Sequence, residues 1–248
     1  MKKNPTNFLT FLEYIKDKYS NKIAFYYQDV KITYYDFYTD VMNCRSTYFD
    51  LFNKKNILIY GDNSYEWVVF YFAIVTSNGV AVLSHLNCGE DISQICEIYN
   101  INAIVTSKSI VSKIKNVEYI DLNEVTFSNN HQKIDVNIDS DSVSTILFTS
   151  GTTGQAKGVM LSHSNLCSDV VAGISAFTYD ENDTILSILP FSHAFGLTCT
   201  LLASLYSGVQ ICFLTDGGFL ESLQYYRPTI LNLVPEMMNI AKKTYKDF

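Results

Sequence analysis

Ten consecutive residues, Thr149 to Gly158, combine three glycines, four hydroxyl side chains and a single lysine, although the whole chain has only 11 glycines. Glycine lets backbone N–H groups approach a ligand closely, and successive N–H groups in a tight turn form a concave site for anions. A lysine adds a positive charge that pairs with phosphate. An ordinary surface turn does not need this density of donors. The pattern therefore predicts a phosphate-binding loop.

The residues on either side of the loop indicate where it lies. The segment VSTILFT (143–149) is typical of a buried strand, so the loop should follow the carboxyl end of a strand, where α/β folds place ligands. The loop is not a Walker A motif: Ala156 occupies the position of its second glycine, and Gly158 that of its Ser/Thr. The following GVML is also predicted to be extended, whereas a Walker loop opens directly into a helix. A P-loop kinase or NTPase is therefore disfavoured.

Short apolar strands alternate with helices along most of the chain, which predicts an α/β fold with two mostly parallel sheets flanked by helices. We expect a first lobe over residues 1–120, with an N-terminal helix and a hairpin, and a polar connector over 121–142. A second lobe is predicted over 143–248, with a helix over 195–207, a strand over 229–234 and a last helix opening at Pro235.

The overall charge excludes several classes of partner. The formal net charge is −7 and the pI is near 5.0, so the chain lacks the basic surface that nucleic acids and anionic lipids require. No Asp, Glu, Lys or Arg occurs from Thr184 to Thr215, but Pro190, His193 and Gly208 interrupt this stretch. We therefore expect no transmembrane span, since no run of about 20 apolar residues remains.

Cysteine usage indicates the compartment. The six cysteines form no C-x-x-C pair and no spacing typical of zinc sites. Scattered cysteines in apolar segments predict reduced, buried thiols and hence a cytoplasmic location. No metal ligand can be assigned from the sequence.

Several motifs together resemble the adenylate-forming, or AMP-binding, superfamily, which includes acyl-CoA synthetases and adenylation domains. TSGTTGQAKGVMLSHSNL (149–166) is similar to the family signature, with Ala156 where the family has proline. PFSHAFG (190–196) resembles a second motif, and ITYYDF (32–37), NCGED (87–91) and PTILNLVPEMM (228–238) are weaker matches in the family's order. The fold implied is the N-terminal, large domain of these enzymes, in incomplete form.

The resemblance implies ATP-dependent activation of a carboxylate to an acyl-adenylate, followed by transfer to a thiol. It places the ATP phosphates on a set of loop residues: Thr149, Ser150, Gly151, Thr152, Thr153, Gly154 and Lys157. It implies that His193 lies beside the carboxylate, in an acyl pocket with Phe191, Phe195 and Gly196. The cofactors implied are ATP and Mg²⁺, with coenzyme A or an acyl-carrier protein as the thiol acceptor. By contrast, His163 is expected to support the first turn of its helix.

Other family motifs are not found. Neither the adenine-binding Tyr-Gly-x-Thr-Glu, nor a ribose-binding Thr-Gly-Asp, nor the C-terminal domain with its lysine follows VPEMM. We therefore expect a fragment of an acid–thiol ligase that is inactive or very weak by itself. The alternative is a stand-alone nucleotide- or acyl-binding module that acts with a partner chain. The uncharged stretch 184–215 favours an apolar acyl substrate, as in fatty acid metabolism.

Overall fold

The computed structural model describes residues 4–85, 92–107, 117–122, 134–149, 157–174, 178–235 and 237. Two mostly parallel sheets flanked by helices confirm the predicted fold class. The strands are β1 (Ile23–Tyr27), β2 (Val30–Thr33), β3 (Asn56–Tyr60), β4 (Val80–Ser84), β5 (Ile101–Thr106), β6 (Glu118–Asp121), β7 (Val143–Thr149), β8 (Lys157–Ser162), β9 (Thr184–Ser187) and β10 (Gln210–Phe213). The α-helices are α1 (Phe8–Tyr19), α2 (Tyr34–Phe52), α3 (Tyr65–Thr76), α4 (Ile92–Ile98), α5 (His163–Gly173), α6 (Ala203–Ser207) and α7 (Gly218–Tyr226).

Local sequence signals set where two of the helices begin. The Thr33 side chain accepts a hydrogen bond from the Asp36 N–H, and the Asp36 carboxylate accepts one from the Thr33 N–H. Ser162 and Asn165 form the same reciprocal pair at the start of α5. Each pair satisfies backbone donors that a helix end leaves without partners. Both caps are encoded within four residues of sequence.

The larger sheet has six strands in the order β6-β5-β3-β4-β7-β8. All of its neighbouring strands are parallel except β7 and β8, which form an antiparallel pair. Because parallel strands end at the same edge, the carboxyl ends of β3, β4 and β7 lie side by side. The predicted phosphate-binding loop follows β7 in the sequence, so it begins at this edge.

The smaller sheet has four strands in the order β2-β1-β10-β9. The hairpin near the N-terminus pairs through β1 with β10, in parallel, and β10 pairs with β9. Strand pairing therefore crosses the predicted connector at 121–142 in both sheets. The division into lobes 1–120 and 143–248 remains a prediction.

The two sheets share one hydrophobic core, and α3 lies at its centre. Every residue of α3 except Glu66 is buried. Its side chains belong to a single cluster that also takes in residues of both sheets, including Phe25 of β1, Leu83 of β4 and Ile211 of β10. Burial on all sides explains why the helix has a continuous apolar sequence and no polar stripe. Among the described helices, none is both long enough and apolar enough to cross a membrane.

Two predicted elements differ in the structure. The segment 229–234 forms no strand; only Ile230 bridges, to Ile185 of β9, while the Asn232 side chain turns to donate to Thr200 Oγ1 at 3.1 Å. The predicted helix over 195–207 begins as a π-helix, Gly196–Leu202, before it continues as α6. The last predicted helix lies mostly outside the described residues.

Candidate phosphate and carboxylate site

The two ends of the glycine loop are held together by the β7–β8 ladder. Thr149 pairs with Lys157, the last and first residues of these strands, and its hydroxyl donates to the Lys157 carbonyl at 3.4 Å. Both side chains are exposed, so the lysine charge and the threonine hydroxyl are available at the mouth of the loop. The other predicted phosphate ligands lie outside the described residues: Ser150, Gly151, Thr152, Thr153 and Gly154.

Tyr99 contacts both strands that flank the loop. The Gly158 N–H donates to the Tyr99 hydroxyl at 2.8 Å, and the Tyr99 ring packs edge-on against Phe148 at 5.2 Å between centroids. A Cβ on Gly158 would lie 2.5 Å from the Tyr99 hydroxyl oxygen, so a larger residue at this position requires the tyrosine side chain to move. The hydrogen bond holds the backbone directly after Lys157.

Two histidines meet at the same edge of the larger sheet. His85 follows β4 and His193 follows β9, and their rings contact edge to face at 4.8 Å between centroids. Leu83 of β4 is paired with Leu147 of β7, and the two strands are parallel. His85 and Thr149 each lie two residues beyond this pair, so they are at the same level along neighbouring chain segments. The imidazole pair therefore lies next to the strand end that carries the phosphate loop.

Asn63 anchors the segment that carries His193. Its amide nitrogen donates to Ser187 Oγ at 2.9 Å and to the Leu189 carbonyl at 2.8 Å. Its amide oxygen accepts the Phe191 N–H at 2.8 Å. One side chain at the end of β3 thus satisfies three groups of the segment that follows β9. This joins the two sheets at the site.

The segment from Pro190 to Leu197 forms a tight turn that contains His193. The His193 N–H donates to the Pro190 carbonyl at 3.1 Å, and the Leu197 N–H donates to the His193 carbonyl at 2.8 Å. A Cβ on Gly196 would overlap the Pro190 carbonyl oxygen, so only glycine closes this turn. The backbone geometry of this turn therefore explains the spacing of proline, histidine and glycine in the sequence. The turn leaves the His193 side chain exposed.

The predicted acyl-pocket residues differ in exposure. Phe195 is 40% exposed and Gly196 is buried. Phe191 is fully buried, with its ring packed against Trp67 at 5.5 Å and Phe213 at 6.3 Å between centroids. Phe191 therefore belongs to the hydrophobic core and anchors the segment that carries His193. That these residues line an acyl pocket remains a prediction.

His163 has a structural role, as expected, but its side chain contacts α1 and not the first turn of its own helix. It is the first residue of α5 and is 1% exposed, and its Nδ1 accepts the Phe8 N–H at 3.4 Å. Burial lowers the pKa of His163 to about 4, with a small opposing effect from Asp139. A neutral imidazole that accepts a backbone N–H is a structural group. It connects α5 to α1.

The arrangement suits anion binding and the orientation of a carboxylate. Lys157 and Thr149 provide a charge and a hydroxyl at the end of β7, and two imidazoles stand at the neighbouring strand end. No group of three His, Cys, Asp or Glu side chains that could hold a metal occurs within the described ranges. The described part of the chain therefore presents a charge and a hydroxyl group that suit an anion, without a complete metal site.

Three residues of the site were not predicted from the sequence: His85, Asn63 and Tyr99. His85 follows an apolar strand, VAVL (80–83), and a polar side chain directly after a buried parallel strand is a signal for this edge of the sheet. The same signal applies to Asn63 after NILIY (56–60). Tyr99 gives no such signal, because its role depends on a contact 59 residues away.

Known proteins resemble this chain in sequence and in fold. The sequence model of the family described as AMP-binding enzyme matches residues 12–247. A 4-coumarate:CoA ligase 1 from Petunia hybrida is 28% identical over 219 residues, which is 78% of this chain and 40% of the relative. A peroxisomal long chain acyl-CoA synthetase 6 from Arabidopsis thaliana is 36% identical over 101 residues, or 40% of this chain and 14% of the relative. The chain thus spans less than half the length of these relatives.

Solved structures show the same fold. An o-succinylbenzoate CoA synthetase (MenE) from Bacillus subtilis, in complex with its acyl-adenylate intermediate, superposes with a TM-score of 0.79 at 22% identity. That match covers 94% of this chain and 63% of the other. The N-terminal subdomain of NpsA from Klebsiella oxytoca gives a TM-score of 0.79 at 18% identity, covering 93% of this chain and 62% of the other. At these identities the likeness shows the fold alone.

Proposed function

Because the chain belongs to the AMP-binding enzyme family, we propose that it forms the phosphate-binding and acyl-binding part of an ATP-dependent acid–thiol ligase. The reaction joins a carboxylate to the α-phosphate of ATP, releasing pyrophosphate, and then passes the acyl group to a thiol. The single observation that supports the proposal is the arrangement at the edge of the larger sheet, where the Thr149–Lys157 strand ends lie next to the His85–His193 pair.

Each residue at this edge has its own role in binding the substrates. Lys157 and the loop that it closes hold the β- and γ-phosphates, since a lysine charge pairs with phosphate oxygens at the end of a strand. His193 faces the carboxylate, and His85 sets the position of its ring. Mg²⁺ would accompany the ATP phosphates and neutralise part of their charge. The protein's contribution is the positioning of charge, which dominates phosphoryl and adenylyl transfer.

We propose that the carboxylate substrate has an apolar group, either an aromatic ring or a fatty chain. No charged residue occurs between Thr184 and Thr215, and Phe195 presents an exposed ring two residues from His193. The relatives named above include a 4-coumarate:CoA ligase and a long chain acyl-CoA synthetase. Coenzyme A is the thiol acceptor that their names support, and an acyl-carrier protein is the alternative.

The 248-residue chain by itself is proposed to bind ATP weakly and to form little or no adenylate. It contains neither the family's adenine-binding motif nor its C-terminal lysine domain. β8 is the last strand in the order of the larger sheet, and Val159 and Met160 on its two faces are 42% and 66% exposed; a strand edge of this kind suits pairing with further protein. That protein is either more of the same polypeptide or a partner chain.

The experiment is carboxylate-dependent exchange of pyrophosphate into ATP. It uses the polypeptide purified from its source cell, whose intact mass is measured first, beside the 248-residue chain. Aromatic and fatty carboxylates are compared, and coenzyme A and an acyl-carrier protein are then compared as acceptors. Exchange by the native polypeptide that depends on an apolar carboxylate supports the proposal. ATP hydrolysis that no carboxylate stimulates contradicts it. Equal exchange by the 248-residue chain alone contradicts its description as an inactive part.

A further inference from the structure

A second concave site lies on the smaller sheet, away from the glycine loop. It has a volume of about 350 Å³ and is formed by the turn between β1 and β2, the end of β10 and the first and last turns of α7. We call it the tyrosine groove. Its volume is at the lower end of the range for small-molecule sites. None of the residues that line the groove belongs to the ends of the glycine loop or to the histidine pair. The two sites are neighbours through the core, since Phe213 lines the groove and packs against Phe191 at 6.3 Å between centroids.

Three carboxylates face the tyrosine groove and come from three different segments. Asp29 is in the hairpin turn, Asp216 follows β10 and Glu221 is in the first turn of α7. Within the described part of the chain none of them forms a salt bridge, and no Lys, Arg or His lines the groove. The groove thus concentrates negative charge without an internal counter-ion.

Aromatic rings form the walls between these carboxylates. Tyr27 packs edge-on against Phe213 at 5.1 Å between centroids, and Tyr225 packs edge-on against Tyr226 at 4.9 Å. The Tyr225 hydroxyl donates to the Asp29 carboxylate at 2.7 Å, which fixes both side chains. Rings held in this way present rigid faces that attract cations.

Nearby acidic groups also contribute to raised pKa values of the tyrosines. Burial raises the pKa of Tyr27, and Glu66 and Asp216 raise it further. Burial raises the pKa of Tyr226 to about 12, with further contributions from Cys212, Tyr26 and Asp29. Both phenols therefore stay neutral near pH 7 and keep their ring faces and hydroxyl groups available to a ligand.

The carboxylates do not converge on one point. No three potential metal ligands lie close enough together to hold a metal ion within the described ranges. A single inorganic cation would also leave the aromatic walls without a contact. An elongated ligand with separated positive charges and an apolar chain between them satisfies both the carboxylates and the rings.

We propose that the tyrosine groove binds a small aliphatic di- or polyamine. Its ammonium groups pair with the separated carboxylates, and its methylene chain lies against the faces of Tyr27 and Tyr225. Ammonium groups on tyrosine faces add cation–π attraction to the charge pairing. Neither ATP nor the acyl carboxylate takes part, so this proposal does not depend on the proposed function.

The test is isothermal titration calorimetry with spermidine, at about physiological salt and without ATP. The wild-type chain is compared with an isosteric double variant, Asp216→Asn with Glu221→Gln. A matched control, Glu118→Gln with Asp169→Asn, removes the same number of exposed carboxylates elsewhere. Circular dichroism and thermal unfolding check that each variant is folded. Putrescine and the uncharged 1,8-octanediol test the dependence on charge number.

We expect saturable binding of spermidine with one site. Affinity should fall at least tenfold in the Asp216→Asn, Glu221→Gln variant and stay unchanged in the control pair. Octanediol should not bind. Tyr225→Leu should weaken binding several-fold more than Tyr225→Phe, which keeps the ring but loses the hydroxyl. The absence of saturable binding would overturn the proposal. So would an equal loss in both double variants, since that result describes attraction to the overall charge of −7.

Discussion

His85 and His193 are 108 residues apart in the sequence, yet their rings meet edge to face at 4.8 Å between centroids. One ring follows β4 of the larger sheet and the other follows β9 of the smaller sheet. The contact thus joins the two sheets at the edge where the glycine loop begins. It makes the orientation of His193 depend on a residue outside its own motif.

Replacement of His85 by alanine should alter the NMR signals of His193. An adjacent aromatic ring shifts the resonances of the protons above or beside it, and the His85 ring lies against His193. We expect the imidazole carbon-bound protons of His193 to move in a ¹³C-resolved spectrum. His163→Gln is the control, because His163 contacts α1 instead. Unchanged His193 resonances in His85→Ala would show that the rings do not meet in solution.

Asn63→Ala should destabilise the fold by about 2–4 kcal/mol, because three hydrogen bonds are lost at about 1 kcal/mol each and buried partners remain unsatisfied. The groups affected are Ser187 Oγ, the Leu189 carbonyl and the Phe191 N–H. Asn63→Asp is the matched variant, because it keeps an acceptor for the Phe191 N–H. Urea unfolding should place its stability between those of wild type and Asn63→Ala. A cost below about 0.5 kcal/mol for Asn63→Ala would contradict the anchoring role.

Gly158→Ala should be costly only while Tyr99 is present. The added methyl group would lie 2.5 Å from the Tyr99 hydroxyl oxygen, and overpacking of this kind costs about 1–3 kcal/mol. A double-mutant cycle with Tyr99→Ala measures the coupling by chemical unfolding. The glycine replacement should cost less in the Tyr99→Ala background than in wild type. Equal costs in both backgrounds would mean that the glycine is needed for another reason.

His163 should make the stability depend on pH below neutrality. Burial lowers its pKa to about 4 in the folded chain, against 6.5 for the free side chain. The unfolded state therefore binds more protons between these values, so its stabilising contribution is complete above pH 6.5 and is lost as pH falls towards 4. The total change is about 3 kcal/mol.

The matched variant for this prediction is His163→Gln, which keeps an acceptor for the Phe8 N–H and does not titrate. Unfolding free energies of both proteins are measured from pH 7 to pH 4. The wild-type stability should decline relative to that of the variant over this interval. A constant difference between the two proteins would contradict the assignment of a neutral, buried imidazole.

Local patterns predicted much of the fold. The caps Thr33 and Ser162 are local signals, because a helix cap is encoded within four residues. The strand Val143–Thr149 was predicted from its apolar run, which is also a local pattern. The pairing of β1 with β10 was not predicted, since it joins residues some 186 positions apart, such as Phe25 and Ile211.

The candidate site shows the same limit. The motif spacing located Lys157 and His193 but gave no sign that Asn63 holds one segment and Tyr99 the other. These contacts span 124 and 59 residues, and a single sequence does not encode them in any local period. Gly196 was assigned to a pocket by resemblance, whereas the structure gives a backbone reason for it: the Pro190 carbonyl fills its side-chain space.

The central claim is that the loop closed by Lys157 binds the phosphates of ATP, and calorimetric titration with MgATP tests it most directly. The 248-residue chain is compared with Lys157→Ala and with Lys31→Ala, which removes an equal charge from the exposed hairpin. We predict weak, saturable binding that Lys31→Ala leaves unchanged. Lys157→Ala should weaken it at least tenfold, since a hydrogen bond to a charged group contributes about 1.5–3 kcal/mol. Undetectable binding at millimolar MgATP, or equal affinity in Lys157→Ala, would contradict the claim.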